Sequence, residues 1–494
     1  MEMTCVILSL LTLLLVASVA PAHELTEEIE QRVGQALKTL PSGTPASVTE
    51  FASLAVTGSW TEMWPDGKGG EEQRAVTAKV WNAPIDACLD KHGSVFLPAS
   101  DTPYYLDRPI ILKSGQRLSA YRTAEIRLKP NTSTCMVRNE HVVSGRNHAL
   151  PADLQPDTDI QIEGGIWTTL ATSRNQTNGN GQAYADPGRN SIPGSYGLFL
   201  LENVTRLRVR NVVIREGKVF GFHLSAVSDF LIENIRFEHH GRDGVHVNGP
   251  ASYGVIRNIN GVTHDDLVAL NAWDWLNSTM TFGAIHHVLV ERVTGAADGA
   301  GAADGIRLLP GVKRFPDGAT LDCPVADCVL RDITDIREFK LYDQPNLEMG
   351  RDKDFSEPIG TLRNIHLQRL TFSRPGRIDV ATTTEHLAIE DVEFTFDVLD
   401  AARRGYRLAV IGPMSMTWKS KADDPSTWVE VFSPDRDVFV RDFSLSNVRM
   451  TVGGTTTPLP DAATSLVSVR DMQLNPDYPN TTPRGGTGKA RLLP

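Results

Sequence analysis

The sequence predicts an all-β fold, a single-stranded right-handed parallel β-helix with a short N-terminal capping helix. Short aliphatic segments recur from about residue 158 onward, with Asn211, Asn234 and Asn258 spaced 23 and 24 residues apart. That period is too short for a βαβ crossover, which needs a helix as well as its two strands, but it suits a coil of two or three short strands per rung. The 40 Gly and 29 Pro among 494 residues indicate many turns and few long helices.

The chain is predicted to contain four segments, namely a signal peptide (1–22), an N-terminal helix with an irregular segment (23–78), the β-helix (79–472) and a Pro/Gly-rich tail (473–494). The first segment is an apolar run that ends in small residues. An amphipathic helix is predicted over 25–40, stopped by Pro41. A second, short helix over 83–89 is expected to cap the first open rung. The tail is predicted to be disordered or to lie along the outside of the coil.

Each repeat combines alternating aliphatic residues with a polar residue at one fixed position. The copies are 207–212, 231–235, 255–259, 288–293, 329–333, 367–370, 389–392 and 445–448. Asn suits a corner because it tolerates the left-handed conformation and can hydrogen-bond a copy of itself in the next rung. Leucine-rich repeats share the period, but their Leu-x-x-Leu-x-Leu-x-x-Asn frame is absent. Insertions at 276–285, 295–303, 310–325 and 345–361 are predicted to become loops, often gathered around a binding cleft.

Composition limits the partners. The net charge is −11 and no basic block occurs, so nucleic acid is not an expected partner. No segment after the signal is long and apolar enough to cross a membrane, so we expect a secreted or periplasmic monomer. Four cysteines remain after the signal, and a Cys323–Cys328 disulfide and free buried thiols both stay open. No Cys/His spacing resembles a zinc site, and neither a metal nor a cofactor is predicted.

Three acidic residues are the candidate catalytic groups. Asp243 precedes an apolar strand at 245–247, and Asp265 and Asp266 directly precede another at 267–270. A 23-residue step stacks these strands about 4.8 Å apart, so the three carboxylates converge. Since they cannot all stay ionised at this distance, at least one pKa is expected to rise. A protonated carboxyl beside ionised ones is what glycoside hydrolysis needs, although Asp is also common at turns that enter strands.

Other side chains near the acids are candidate sugar contacts. His223 and His246 lie on the stacked strands and are predicted to bind sugar hydroxyls, with a structural role as the alternative. Trp273 and Trp275 follow the acidic pair and are predicted to stack on sugar faces, unless one of them belongs to the core. Asp274, between them, is expected to be a solvated loop residue.

Three motifs of this chain resemble motifs of one known family. They are Gly-Arg-Asp-Gly at 241–244, Asp-Asp-Leu-Val-Ala-Leu-Asn at 265–271 and Gly-Ile-Arg-Leu-Leu at 305–309. They are similar to Asn-Thr-Asp-Gly, Asp-Asp-Cys-Ile-Ala-Ile-Asn and Gly-(Ile/Val)-Arg-Ile-Lys of glycoside hydrolase family 28, the polygalacturonases and their relatives. The resemblance covers roughly 80–400 and identifies the chain as a divergent member. It implies the pectin lyase-like β-helix and an inverting hydrolase that acts on a polysaccharide.

The resemblance also implies residue roles. Asp265 would be the general acid, and Asp243 and Asp266 would position and deprotonate water. Asn271, within the second motif, and Arg307, within the third, would contact substrate. Tyr342 resembles a substrate-contacting tyrosine of the family.

Two departures from the family bear on the substrate. The family's Gly-His-Gly is missing, and the context of His286 and His287 does not match it. Leu309 replaces the lysine implied to grip a uronate carboxylate, with Lys313 and Arg314 as candidate substitutes. We therefore expect a decorated or less acidic polysaccharide, pectin-like or another cell-wall glycan, rather than plain polygalacturonate.

Two other functions stay open from the sequence. A polysaccharide lyase on the same fold would use carboxylates that hold Ca²⁺ and an Arg or Lys base, for which Arg307 is the candidate. A non-catalytic β-helix would only bind glycan, with the acids as a structural ladder. The fold alone does not decide among these functions.

Overall fold

The fold is a right-handed parallel β-helix, as the sequence predicts. The computed structural model describes residues 20–493 except 66–70, 131, 133, 144–147, 170–196, 216, 218, 275–279, 297–304, 343–359, 374–375, 397–407, 413–415, 420–427, 432–436, 459–466 and 470–488. Of the 31 strands in this part of the chain, 27 belong to one sheet that coils on itself.

Helices and short strands form the N-terminal part. Helix α1 is Ala22–Ala36, followed by 3₁₀ segments at Leu37–Thr39 and Val48–Leu54, and helix α2 is Asn82–His92. The strands up to the candidate site are β1 (Val56–Pro65), β2 (Glu71–Val80), β3 (Ser94–Leu97), β4 (Tyr104–Leu106), β5 (Ile110–Leu112), β6 (Arg117–Ala120), β7 (Glu125–Leu128), β8 (Val137–Asn139), β9 (Asp157–Glu163), β10 (Ile166–Thr168), β11 (Gly197–Arg215), β12 (Phe220–His240), β13 (Val245–Asn248), β14 (Ala251–Thr263) and β15 (Asp266–Asn271).

The remaining strands continue the coil. They are β16 (Ile285–Thr294), β17 (Gly305–Leu309), β18 (Gly311–Arg314), β19 (Thr320–Cys323), β20 (Val325–Thr334), β21 (Glu338–Tyr342), β22 (Thr361–Phe372), β23 (Arg377–Ala381), β24 (Thr383–Phe396), β25 (Ala409–Ile411), β26 (Met416–Lys419), β27 (Trp428–Val431), β28 (Val438–Val452), β29 (Thr455–Pro458), β30 (Val467–Val469) and β31 (Ala490–Leu493).

The coil has three faces. Face 1 contains β5, β8, the first parts of β11 and β12, and then β13, β15, β17, β21, β23, β25 and β30. Face 2 runs from β3, β6 and β9 through the middle of β11 and β12 to β31, and the ends of the long strands form face 3. The predicted 23-residue register is confirmed, because His223, His246 and Ala269 pair as one row of face 1.

The corner between faces 2 and 3 carries the predicted asparagine row. Asn211, Asn234 and Asn258 have φ of 59°, 56° and 54°. The Nδ2 of Asn234 donates to Asn211 at 3.0 Å, and that of Asn258 donates to Asn234 at 2.8 Å. Later rungs keep the left-handed backbone with other residues, namely Arg292, Asp332, Arg369, Asp391 and Asn447. The side chain changes along the row, but the backbone requirement does not.

The residue before each corner forms a row of alternating charge on face 2. In chain order this row contains Glu163, Arg210, Glu233, Arg257, Glu291 and Arg331. Arg257 lies 2.9 Å from Glu233, and Arg331 lies 2.7 Å from the fully buried Glu291. Alternation favours the native register, because opposite charges face each other across neighbouring strands.

The two helices have different positions. Ile85, Cys88 and Leu89 of α2 belong to the main core cluster, so α2 caps the first rung as predicted. Helix α1 instead lies along face 2, where Leu25, Ile29, Val33, Leu37 and Leu40 pack against Leu231, Val255, Leu289 and Val329. These four residues are in register on consecutive strands. The predicted helix over 25–40 is thus confirmed in kind, with an earlier start at Ala22.

Two local expectations are corrected and one open alternative is decided. The segment predicted to be irregular, up to residue 78, contains β1 and most of β2, which pair antiparallel, and the indoles of Trp60 and Trp64 both donate to Glu62 at 2.9 Å. Cys323 and Cys328 are buried and are not joined in a disulfide. At the end of the predicted tail, β31 pairs with Val438–Arg441 as a further rung.

Other predictions concern parts that the structure covers incompletely. The insertion at 310–325 forms the antiparallel β18–β19 hairpin. Residues 1–19 of the predicted signal peptide and residues 470–488 of the tail lie outside the described residues. The segment boundaries stay predictions. Among the described residues, no helix has both the length and the apolar character needed to cross a membrane.

Candidate active site

The turn from face 3 to face 1 brings three carboxylates together. Asp243 lies before β13, Asp265 lies just before β15, and Asp266 begins that strand. The rungs are joined by a hydrogen bond from the Gly244 N–H to the Asp266 carbonyl oxygen at 2.8 Å. One oxygen from each carboxylate lies within 4.8 Å of the others. The convergence predicted from the 23-residue step is therefore present.

Each carboxylate has a cationic partner. Asp266, fully buried, lies 2.7 Å from the Arg307 guanidinium and 3.0 Å from Lys340 Nζ. Asp265, whose side chain is 20% exposed, lies 3.1 Å from Arg242 and 3.5 Å from Arg307. Asp243 is buried and its Oδ2 accepts from His246 Nδ1 at 2.6 Å. Only Asp265 among the three presents an appreciable surface to a substrate.

The two adjacent carboxyls titrate in opposite directions. Burial raises the pKa of Asp266 to about 6, with Asp265 and Asp243 adding to the rise and Arg307 and Lys340 opposing it. Burial also acts to raise the pKa of Asp265, but Arg242, Arg307 and Lys340 outweigh it and hold that pKa below its usual value. The rise expected from the sequence thus occurs, at Asp266. The resemblance implies that Asp265 is the general acid, but in the free site the proton rests on Asp266 up to about pH 6.

Lys340 is the site residue that the sequence analysis missed. It pairs in register with Arg307 on the next rung of face 1, 33 positions later. The insertion between β17 and β21 breaks the 23-residue step, so counting along the chain does not find it. The sequence does contain a signal for this pairing. Glu-Phe-Lys-Leu-Tyr at 338–342 alternates polar and apolar residues in the same way as Gly-Ile-Arg-Leu-Leu at 305–309, and Lys340 occupies the position of Arg307.

The substitutes considered for the missing family residues lie elsewhere. Lys313 is on the β18–β19 hairpin, with its Nζ 4.7 Å from the Trp273 ring centroid. Arg314 is the next residue on that hairpin. His286 and His287 begin β16 on face 2, where His287 lies 3.6 Å from Glu28 of α1. Neither histidine belongs to the carboxylate cluster.

The two histidines of face 1 lie behind the carboxylates. The Nε2 of His223 lies 2.8 Å from Asn248 Oδ1, and burial together with the charge of His246 lowers the pKa of His223 to about 3. His246 lies between Asp243 and Asp274, whose Oδ2 is 2.9 Å from its Nε2. Both rings are buried. Of the two alternatives considered for these histidines, sugar contact and a structural role, their burial favours the structural role.

Several other predicted contacts are also covered. Trp273 is 4% exposed and packs edge-on against Phe282 at 5.9 Å, so of its two alternatives the structure shows the core position. Asn271 is buried and donates to Asp274 at 2.9 Å. Asp274 is itself fully buried, which corrects its expected place in a solvated loop. Trp275 lies outside the described residues.

Arg307 and Tyr342 lie together beside the acids. The Arg307 guanidinium carbon is 5.9 Å from the Tyr342 ring centroid, and both side chains are largely buried. Burial raises the pKa of Tyr342, so the phenol stays neutral at ordinary pH. Arg307 also remains charged, because Asp266 and its neighbours raise its pKa well above the usual value against the effect of burial.

Above about pH 6, where Asp266 is ionised, the charges of the site balance. Four carboxylates (Asp243, Asp265, Asp266 and Asp274) contact four cationic side chains (Arg242, Arg307, Lys340 and His246). By number and spacing the first three carboxylates would suit a cation such as Ca²⁺, which prefers several oxygen ligands. The adjacent guanidinium and ammonium groups already neutralise those oxygens. This arrangement disfavours a resident metal ion.

No family model and no curated protein matches this sequence. Among solved structures, a hyperthermoactive exopolygalacturonase from Thermotoga maritima is similar at 11% identity, with 89% of this chain and 99% of that chain covered and a TM-score of 0.47. A family 28 exopolygalacturonase of Yersinia enterocolitica has 12% identity, coverages of 85% and 83%, and a TM-score of 0.37. The A-module of a mannuronan C-5 epimerase from Azotobacter vinelandii has 13% identity, coverages of 90% and 94%, and a TM-score of 0.41. The register of the strands shows the fold independently of these similarities.

Proposed function

We propose that this protein is a glycoside hydrolase that cleaves a polysaccharide at the cluster of Asp243, Asp265 and Asp266. One observation carries the proposal: three carboxylate oxygens lie within 4.8 Å of one another, while the pKa of Asp266 is raised to about 6 and that of Asp265 is lowered. A carboxyl that keeps a proton beside carboxylates that have lost theirs is the division that acid–base cleavage of a glycosidic bond requires.

Exposure supports a specific division of roles. Of the three acids, Asp265 alone is open enough to meet the glycosidic oxygen, while Asp266 holds a proton in the free site up to about pH 6. We propose that Asp266 passes this proton to Asp265 when substrate displaces solvent, and that Asp265 delivers it to the departing oxygen. Asp243 and the newly ionised Asp266 then accept a proton from water. The water oxygen bonds to the anomeric carbon as the glycosidic carbon–oxygen bond breaks.

The burial of Asp243 and Asp266 supports a single displacement with inversion. A covalent intermediate needs a nucleophilic carboxylate in contact with the sugar and a second carboxyl at the leaving oxygen. Asp243 and Asp266 lie too deep for a sugar ring, so water is the reactant small enough to stand between them and the anomeric carbon. The oxygens within 4.8 Å are closer than the separation of roughly 6.5–9.5 Å in many inverting enzymes. The product anomer is therefore a direct test of this part.

Charge balance supports a neutral sugar at the cleaved bond. The family lysine is Leu309 here, and Arg307 and Lys340 both lie against Asp266 at 2.7 and 3.0 Å. Their positive charges stabilise the ionised form of Asp266, because an unpaired carboxylate in this buried position would cost free energy. A uronate carboxylate brought to this cluster would compete with Asp266 for the same cations. We therefore propose a neutral cell-wall glycan rather than polygalacturonate.

The test is turnover on a panel of neutral and uronate-containing glycans with the wild type and Asp265→Asn. The proposal expects release of reducing ends from a neutral glycan, inversion at the new anomeric carbon by NMR, and a loss of about 10³-fold or more in the variant. Asp332→Asn is the control, since Asp332 pairs with Arg369 at 2.6 Å on face 2 and is expected to keep turnover. Full activity of a folded Asp265→Asn variant would refute the role of Asp265.

One observation favours a second candidate, a non-catalytic glycan-binding β-helix. Asp243 and Asp266 are buried and ion-paired, as members of a structural network also are. That candidate expects glycan binding without turnover and a loss of stability, not activity, in the variant. The lyase alternative is disfavoured, because Arg307 is buried against Asp266 and its raised pKa prevents it from acting as a base.

We also propose that the protein is exported, on the basis of the apolar run before residue 22. Helix α1 begins at Ala22, so removal of the preceding residues would leave the helix that packs on face 2 intact. N-terminal sequencing of protein recovered from the medium or periplasm tests this. A mature chain that retains residue 1 would refute it.

A further inference from the structure

His246 lies between two carboxylates that approach opposite nitrogens of its ring. Nδ1 is 2.6 Å from Asp243 Oδ2, and Nε2 is 2.9 Å from Asp274 Oδ2. A ring that donates to both acceptors carries a proton on both nitrogens and is therefore an imidazolium. Burial acts to lower the pKa of His246, but Asp243 and Asp274 outweigh burial and raise it to about 9.

The surroundings hold the ring and the distal carboxylate in place. Phe220 stacks on the imidazole with ring centroids 4.0 Å apart and planes 6° apart, and His223 meets it edge-on at 5.2 Å. Asn271 Nδ2 donates to Asp274 Oδ2 at 2.9 Å. Asp274 is fully buried. Such fixed geometry lets a residue that does not contact substrate orient one that does.

We propose that Asp274 is a positioning residue that holds the His246 ring and, through it, orients the Asp243 carboxylate as the acceptor of the proton from water. This inference rests on the proposed hydrolysis. With Asp274 ionised, His246 retains a positive charge 2.6 Å from the carboxylate of Asp243. The Nδ1–H of that ring then fixes the position of Asp243 Oδ2.

The neutral form of His246 also has partners, which makes the proposal testable without loss of the fold. Asn248 Nδ2 lies 3.3 Å from His246 Nε2. Without the negative charge of Asp274 the ring can be neutral, with Nε2 accepting from Asn248 while Nδ1–H still donates to Asp243. Asp274→Asn is therefore expected to leave the ring in place and to remove its charge at pH 8. In the described part of the chain, the other charged or titratable groups near His246 are His223, Arg307 two rungs further along the same row, and Arg242 over Phe220.

The first measurement does not depend on activity. Protein with ¹⁵N-labelled histidine is titrated by NMR, and His246→Gln identifies the ring signal. The wild-type ring is expected to stay protonated at pH 8, and in Asp274→Asn its titration is expected to move down by about two pH units or more. Asp157→Asn is the control, since Asp157 is a buried carboxylate 2.7 Å from His141 at the start of face 2. A neutral wild-type His246 at pH 8, or no shift in Asp274→Asn, would overturn the proposal.

The second measurement is the pH dependence of kcat/KM on the neutral glycan that the wild type cleaves fastest. Asp274→Asn is expected to lower kcat/KM above about pH 7, where the ring of the variant is neutral, and to approach the wild-type value at lower pH, where that ring is protonated again. A uniform loss at every pH would show that Asp274 only supports the structure. Retained turnover in Asp265→Asn would refute the proposed function instead, and the NMR titration would still decide the state of His246.

Discussion

The carboxyl of Asp266 makes the stability of this protein depend on pH, and Asp266→Asn is expected to remove that dependence. Burial and the neighbouring Asp265 and Asp243 raise its pKa to about 6, whereas an aspartate in an unfolded chain titrates near about 3.9. Between these values the folded protein keeps a proton that the unfolded chain has lost. The contribution of this group to the free energy of unfolding is therefore complete below pH 4 and falls as the pH rises to 6.

The structure sets the magnitude. A difference of about two pKa units corresponds to roughly 3 kcal/mol. Asn does not ionise, so the free energy of unfolding of the variant minus that of the wild type should increase by about 2 kcal/mol between pH 4 and 6.5, the larger part of the full difference. The substitution also removes the partner of Arg307 and Lys340, which adds a separate difference in the free energy of unfolding between the two proteins. The test therefore uses the change with pH and not the absolute difference.

Urea unfolding of both proteins, followed by circular dichroism at half-unit steps of pH, measures this change. Asp332→Asn is the control, because its hydrogen bond with Arg369 lowers the pKa of Asp332 and the corresponding loss occurs below pH 4. Its difference from the wild type should stay constant between pH 4 and 6.5. An equally constant difference for Asp266→Asn would mean that Asp266 is ionised throughout, and the proton assigned to it would be refuted.

Two further predictions concern the coil. Gly164→Ala should lower the free energy of unfolding by about 3 kcal/mol or more, because an added Cβ would lie 2.1 Å from the Ala120 carbonyl oxygen. Gly115→Ala, at the same φ of 78° but with no atom within 4 Å, should cost only about 1–2 kcal/mol, so equal losses in urea unfolding would contradict the steric argument. Glu291→Gln should cost about 2–4 kcal/mol, because it removes a buried negative charge that lies 2.7 Å from Arg331 and 4.0 Å from Arg257. Glu390→Gln, which faces Gln368 at 2.9 Å on the same row, should cost under about 1 kcal/mol, and comparable losses at the two sites would refute the importance of the buried charge row.

The sequence predicted those parts of the fold that repeat. Rungs of equal length make spacing along the chain equivalent to position across the sheet, so Asn211, Asn234 and Asn258 could be placed at one corner from their spacing alone. The β1–β2 hairpin was not predicted, because its pattern is Trp60, Glu62 and Trp64 rather than aliphatic alternation. The position of α1 depended on four outward-facing aliphatic residues of face 2, which no local pattern of the helix reveals.

The site was predicted only where it follows the period. Asp243 meets Asp265 and Asp266 because one unbroken rung separates them. Lys340 was missed because the rung between β17 and β21 is longer, at 33 residues. The prediction that Asp274 is solvated was wrong. Polar residues that follow a strand are usually exposed, whereas here His246 and Asn271 bind Asp274 inside the protein.

The sequence by itself therefore determined the coil, its corner rows and the convergence of three carboxylates, since all of these follow from one local period. The tertiary structure decided the ionisation and the exposure of those carboxyl groups. Ionisation depends on burial and on charges from other rungs, and Arg307 and Lys340 reach Asp266 across insertions of irregular length. The same packing covers His223, Trp273 and Asn271 and leaves Asp265 as the open member of the cluster.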